Sequence, residues 1–99
     1  MARVRINRTT RVVRKSDNLS SQIDNEVVIL NVPKGEYNGL DEIGTEIWKQ
    51  LESPIEVSDL IVSLMKDYEV DEQQCVSDVM EFLAELIDNG LAEIKDGNE

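Results

Sequence analysis

The apolar positions of this 99-residue chain change their period once, at Asp41. Before it they form short runs rich in β-branched residues. After it they recur every three or four residues almost to the end, as one face of a helix does. A chain patterned this way builds a small sheet first and a helical layer against it, which is an α+β domain. The strongest strand runs from Val27 through Val28, Ile29, Leu30 and Asn31 to Val32 and is apolar on both faces. Pro33-Lys34-Gly35 follows as a turn, because Pro fixes φ and Gly permits positive φ. Glu36, Tyr37, Asn38, Gly39 and Leu40 then return antiparallel, closing a hairpin. Two weaker strands are expected at 11–14 and 19–23, and a short final one at 91–94. Gly39, late in its strand, marks a bulge or a close backbone approach.

Three helices follow. Asp41 caps the first, which turns Ile43, Ile47, Trp48 and Leu51 to one side and stops before Ser53-Pro54. The second covers about 57–68, on a stripe of Val57, Leu60, Ile61, Leu64 and Met65. The third opens on a capping box, Asp71 with Gln74, and ends at Asn89-Gly90, a C-terminal stop signal. Its core stripe is Val76, Val79, Met80, Leu83, Leu86 and Ile87. Cys75 and Phe82 fall on a shoulder beside that stripe, with Asp78 and Glu85 beyond them. So wide a face belongs either to a well-buried helix or to one wall of a groove for a partner. Trp48 reads as core; Tyr37 fits core or groove equally.

Charge is divided as sharply as hydropathy. Residues 1–15 carry Arg3, Arg5, Arg8, Arg11, Arg14 and Lys15 and no acid, whereas the rest carries four bases and all 21 acids, a split of +6 against −17. The acidic body repels nucleic acid and anionic membranes and attracts basic partners. The basic start is either a nucleic-acid arm or a short, partly ordered terminus that lies against the acidic body or pairs as a strand at its edge. The chain therefore divides into that segment, 1–15, and a single domain, 16–99.

Several chemistries are excluded or disfavoured. There is no His and one Cys, hence no His/Cys zinc site, no internal disulfide and no histidine base. A lone thiol suits a reducing cytoplasm, and no apolar run is long enough to span a membrane. Carboxylates are plentiful but lie on polar helix faces, without the desolvated pocket that an acid–base pair needs. Asp67-x-Glu69-x-Asp71 resembles the start of a calcium loop, but Glu72 stands where that loop needs glycine. Ser58-Asp59-Leu60 reverses the Asp-Ser-Leu order of acyl carriers. Neither an enzyme nor a cofactor is expected. A hairpin and three helices suggest a winged helix-turn-helix arrangement. Between Asp71 and Asn89, however, the third helix has six acids and no Lys or Arg, so it cannot read DNA as such helices do. A winged-helix DNA or transcription partner using the basic arm remains the alternative.

Two motifs carry a resemblance. Gly35-x-Tyr37-x-x-Leu40-Asp41-x-x-Gly44-x-x-Ile47-Trp48 and Asp78-Val79-x-x-Phe82-Leu83-x-x-Leu86-x-x-x-Gly90-Leu91 resemble the signature of the PqqD-like family. Its members are recognition elements for the precursors of ribosomally synthesised and post-translationally modified peptides. Among them the chain is most similar to the stand-alone recognition subunit of split lasso-peptide systems. The resemblance implies a non-catalytic domain that binds a precursor's leader as an added strand and presents it to a leader peptidase and a cyclase. It implies a site at Glu36, Tyr37, Asn38, Gly39 and Leu40 along the edge, with Cys75, Val79, Phe82 and Leu86 as the wall and Asp78 and Glu85 as the rim. A leader aromatic or Leu and a nearby Pro are the implied anchors. The chain departs from the family in having Asp41 where Asn is frequent and Glu56 where the second helix normally opens on Ser or Thr. Nothing in the family pattern explains 1–15. Nucleic acid and membrane are not expected partners, and an unpaired edge allows a monomer or a weak homodimer.

Overall fold

A computed structural model describes residues 6–15, 19–24, 26–32 and 34–95. Arg3, Arg5 and Pro33, named above, lie outside these. Among the described residues the chain forms two three-stranded antiparallel sheets and three helices, the α+β class that its pattern indicates. One sheet joins β2 (Leu19–Ile23), β3 (Glu26–Asn31) and β4 (Glu36–Gly39) in that order. The other sets β1 (Arg11–Arg14) between β5 (Ile55–Glu56) and β6 (Ala92–Ile94). The helices are α1 (Glu42–Gln50), α2 (Val57–Asp67) and α3 (Glu72–Asp88).

The hairpin sheet is regular. Val28 faces Gly39 and Leu30 faces Tyr37 across β3 and β4. Asp24, at φ 57°, begins the β2–β3 turn, and Gly35, at φ 65°, closes the β3–β4 turn by donating its N–H to Asn31 O at 2.7 Å. Gly39 makes no bulge: it stays in register, and a Cβ placed on it would meet nothing within 4 Å. The pleat sends Val27, Ile29 and Asn31 into the core. Buried Asn31 is satisfied by donating from Nδ2 to Asn89 O at 2.9 Å, which ties the hairpin to the end of α3. Thr45 ties α1 to the same sheet: its Oγ1 accepts the Val27 N–H at 2.9 Å.

Helix ends follow local chemistry. Asp41 Oδ1 accepts the Gly44 N–H at 2.7 Å, capping α1 as its sequence suggests. At α3, Asp71 accepts the Gln74 N–H, but the capping box is only half formed, because Gln74 Nε2 turns forward to Asp78 Oδ1 at 2.9 Å. Gly90, at φ 75°, ends α3, with Leu91 N–H on Leu86 O and Gly90 N–H on Ile87 O, a Schellman motif. Glu56 gives α2 no side-chain cap. The first donors of α2 go instead to the N-terminal segment, Val57 N–H to Thr10 O and Ser58 N–H to Arg8 O.

That segment is structural. Val12 is fully buried at the centre of the second sheet, and Arg14 places its guanidinium 5.3 Å from the Trp48 ring centroid. Trp48 is core, as expected, with its indole N–H unpartnered among the described residues. The second sheet was not legible as a sheet, because β5 is two residues long and follows Pro54.

Candidate peptide-binding site

Two features meet on one side of the molecule. The first is the outer edge of β4, which pairs only with β3 among the described residues. The Leu40 N–H donates to Val27 O at 2.8 Å, so Leu40 is bonded into the ladder. In an antiparallel pair bonded and non-bonded positions alternate. Asn38 and Glu36 therefore also point their backbone groups at β3, while Tyr37 and Gly39 turn N–H and C=O outward, ready for another strand.

The second feature is a cavity of about 390 Å³ between the start of α1 and the middle of α3. Ile43, Gly44 and Ile47 of α1, Leu64 of α2, Tyr68 and Val70 of the α2–α3 connection, and Cys75, Val79 and Phe82 of α3 form its apolar wall. Carboxylates of Asp41, Asp78, Glu81 and Glu85 stand at its mouth, all on exposed residues. Gly44 keeps the first helix close: a Cβ there would lie 3.3 Å from Phe82 Cζ and 3.4 Å from Leu40 Cβ. β4 thus runs directly into the cavity, through Leu40 and Asp41.

The direction of β4 along α3 follows from two contacts. Near its start, Asn31, which faces Glu36, reaches the end of α3 at Asn89. Beyond its end, Gly44 lies against Phe82 in the middle of that helix. β4 is therefore antiparallel to α3, and a strand added antiparallel to β4 runs parallel to α3. Its N-terminal part lies over the cavity, and its C-terminal part leaves past Glu36.

The sequence-derived residues divide accordingly. Cys75, Asp78, Val79, Phe82 and Glu85 line the cavity. Cys75 is buried into the floor rather than set on a shoulder, since the buried arc of α3 is centred on Val79 and includes Cys75, Leu83 and Leu86. Leu86 lies in the core, outside the cavity, and is not part of the wall. Tyr37 is 75% exposed and belongs neither to core nor to cavity wall. Its pleat parity pairs it with Leu30 on the outer face of the sheet, so its backbone groups, not its ring, lie at the free edge beside the cavity. Glu36 and Gly39 are exposed along the edge, Asn38 is half-buried on the inner face opposite Ile29, and Leu40 is buried at the junction. The sequence reading did not assign Asp41, Ile43, Gly44, Ile47, Leu64, Tyr68, Val70, Gln74 or Glu81 to the site, although Asp41, Gly44 and Ile47 stand in the first motif.

The cavity is apolar inside and negative at its mouth. Burial pushes the Cys75 thiol pKa up, and the carboxylates of Asp78 and Glu72 add to it. Tyr68 is likewise raised, by desolvation first and then by Glu42, Glu46 and Asp67. No group of three or more Cys, Asp or Glu residues among the described ones is arranged to hold a metal ion. No helix among them is long and apolar enough to cross a membrane.

A free strand edge opening onto an apolar cavity defines a class of protein that holds an extended peptide. Residues 26–92 match the family described as Coenzyme PQQ synthesis protein D (PqqD), and the chain belongs to that family. No curated protein matches the chain. Among solved structures it is similar to "TbiB1 in Complex with the TbiA(beta) Leader Peptide", at 32% identity and TM-score 0.76, over 82% of this chain and 94% of that one. It also shares the fold of "Lasso peptide synthetase B1 complexed with the leader peptide", at 24% identity and TM-score 0.73, over 83% and 96%.

Proposed function

We propose that this protein binds the leader of a ribosomally made precursor peptide by strand addition at β4 and holds it for a leader peptidase and a cyclase, as in lasso-peptide biosynthesis. The protein itself performs no chemical step. The observation that carries the reading is the free β4 edge running into the cavity, on a fold 32% identical to a chain solved with a leader peptide. Tyr37 and Gly39 supply the ladder. The cavity takes an apolar side chain from the leader's N-terminal part, against Phe82, Val79 and Ile43. Because the C-terminal part leaves past Glu36, the core peptide is left outside the groove, where an enzyme can reach it.

The energies suit transient capture. Ladder bonds contribute about 0.5–1.5 kcal/mol each and a buried anchor about 2 kcal/mol or more, against about 2–5 kcal/mol for ordering the peptide. The ordering cost is comparable to either gain alone, so capture needs the ladder and the anchor together. Phe82→Ala should weaken a fluorescein-labelled leader by at least about 1.5 kcal/mol in an anisotropy titration, while Tyr37→Ala changes it by less than about 0.5 kcal/mol. Equal effects of the two substitutions would move the anchor away from the cavity.

A further inference from the structure

The mouth of the cavity carries more charge than strand addition needs. Asp41, Asp78, Glu81 and Glu85 line it, and no Lys or Arg does among the described residues. Asp41 is engaged as the α1 cap, and one oxygen of Asp78 is held by Gln74. The carboxylates of Glu81 and Glu85 have no hydrogen bond or ion pair among the described residues, where Arg8–Glu72, at 3.4 Å, is the ion pair formed. Four carboxylates around an apolar floor repel one another and lack a counter-charge. A peptide that is merely apolar fills the floor and leaves that repulsion in place.

Helix geometry fixes where a counter-charge would fall. Asp78 lies four residues before Phe82 and Glu85 three residues after it, so each stands one turn away on the same side of α3, about 5–6 Å from it between Cβ atoms. A strand running along α3 repeats its face every two residues, about 6.6 Å. Resting on the strand-addition reading above, we propose that the cavity selects a peptide with a Lys or Arg two residues from the apolar anchor that packs on Phe82. Before the anchor, the cation meets Asp78; after it, Glu85. The apolar floor gives affinity, and the paired carboxylates fix the register by rewarding one alignment of the strand over its neighbours.

The test starts from 16-residue random peptides displayed on phage and selected on the immobilised full chain in 50 mM NaCl. Lys or Arg should be enriched two residues from an apolar or aromatic position. An enriched peptide, labelled with fluorescein, is then titrated against the wild type, Asp78→Asn and Glu85→Gln. The carboxylate facing the cation should be worth about 5-fold in Kd, and the difference should disappear in 0.5 M NaCl or when the peptide's Lys is changed to Gln. Apolar anchors enriched without a basic neighbour, or variants that weaken the Lys and Gln peptides equally, would overturn the selection rule while leaving strand addition standing. Enriched peptides whose binding is unaffected by Gly39→Pro would overturn strand addition itself, and an absence of any enriched peptide would remove both.

Discussion

Gly39→Pro separates strand addition from simple pocket binding. The Gly39 N–H points away from β3, so it makes no bond within the sheet, and a Cβ there meets nothing within 4 Å. Proline is tolerated in an edge strand where its missing N–H faced solvent. Folding stability should therefore change by less than about 1 kcal/mol. Binding loses far more. One ladder bond disappears, about 0.5–1.5 kcal/mol, and the peptide carbonyl that would have accepted it is left unpaired beneath the ring, about 1–3 kcal/mol. Together these predict about 2–4 kcal/mol, a 30- to 1000-fold rise in Kd. The matched control is Ser20→Pro. Register places the Ser20 N–H on the free edge of β2, on the far side of the sheet from β4, where the same lesion should leave binding unchanged. Anisotropy titrations of a labelled leader, with urea unfolding of each variant, decide the matter. A folded Gly39→Pro protein that binds like wild type refutes addition at β4, and a loss on Ser20→Pro instead moves the added strand to β2.

Two further outcomes follow from burial. Val12→Ala should destabilise the fold by about 2 kcal/mol and lower Tm by about 10 °C in a thermal melt, because the basic segment forms the centre of a sheet; an unchanged Tm would make it a dispensable tail. The raised pKa of Cys75 means that the fold favours the protonated thiol, so its contribution to stability is full below the thiol's ordinary pKa and is lost as pH rises through the folded value. Iodoacetamide should accordingly label native Cys75 far more slowly than urea-unfolded protein at pH 8, and bound peptide should slow it further; equal rates would place the thiol outside the cavity.

What the sequence disclosed was what local chemistry decides. Asp41, Asp71, Gly35 and Gly90 each determine a turn or cap through their own side chain or their own φ, and each stands where the pattern put it. The hairpin was likewise legible from period alone, whereas the buried stripe of α3 lies rotated from the expected one: Cys75 is inside it, and Val76, Met80 and Ile87 are only half-buried. Parity was harder. Tyr37, which fits core or groove by its chemistry alone, lies in neither, because the register with β3 sets Asn38, not Tyr37, on the inner face opposite Ile29. The second sheet and the walls of the cavity outside α3 were hidden for a different reason. β5 is two residues long, and the cavity walls come from segments far apart in the chain, so neither leaves a periodic trace.

The division of charge acquires a spatial meaning from that second sheet. Arg14 lies against Trp48, and Arg8 meets Glu72 at the start of α3, so part of the basic segment is spent on the acidic body it borders. None of it lines the cavity among the described residues, where Asp78, Glu81 and Glu85 remain without a cation. On the strand-addition reading, an incoming peptide therefore meets the carboxylates of Asp41, Asp78, Glu81 and Glu85 where its N-terminal part seats. Their field raises the association rate of a cationic segment by about 10-fold or more at low salt and orients it before any ladder bond forms. Affinity from the apolar floor and orientation from the rim then act at different stages of one encounter. Salt should consequently slow association much more than it speeds release, whereas Phe82→Ala should act mainly on release. Stopped-flow traces at 50 and 500 mM NaCl measure both rates, and a salt effect confined to dissociation would assign the carboxylates to the bound complex alone.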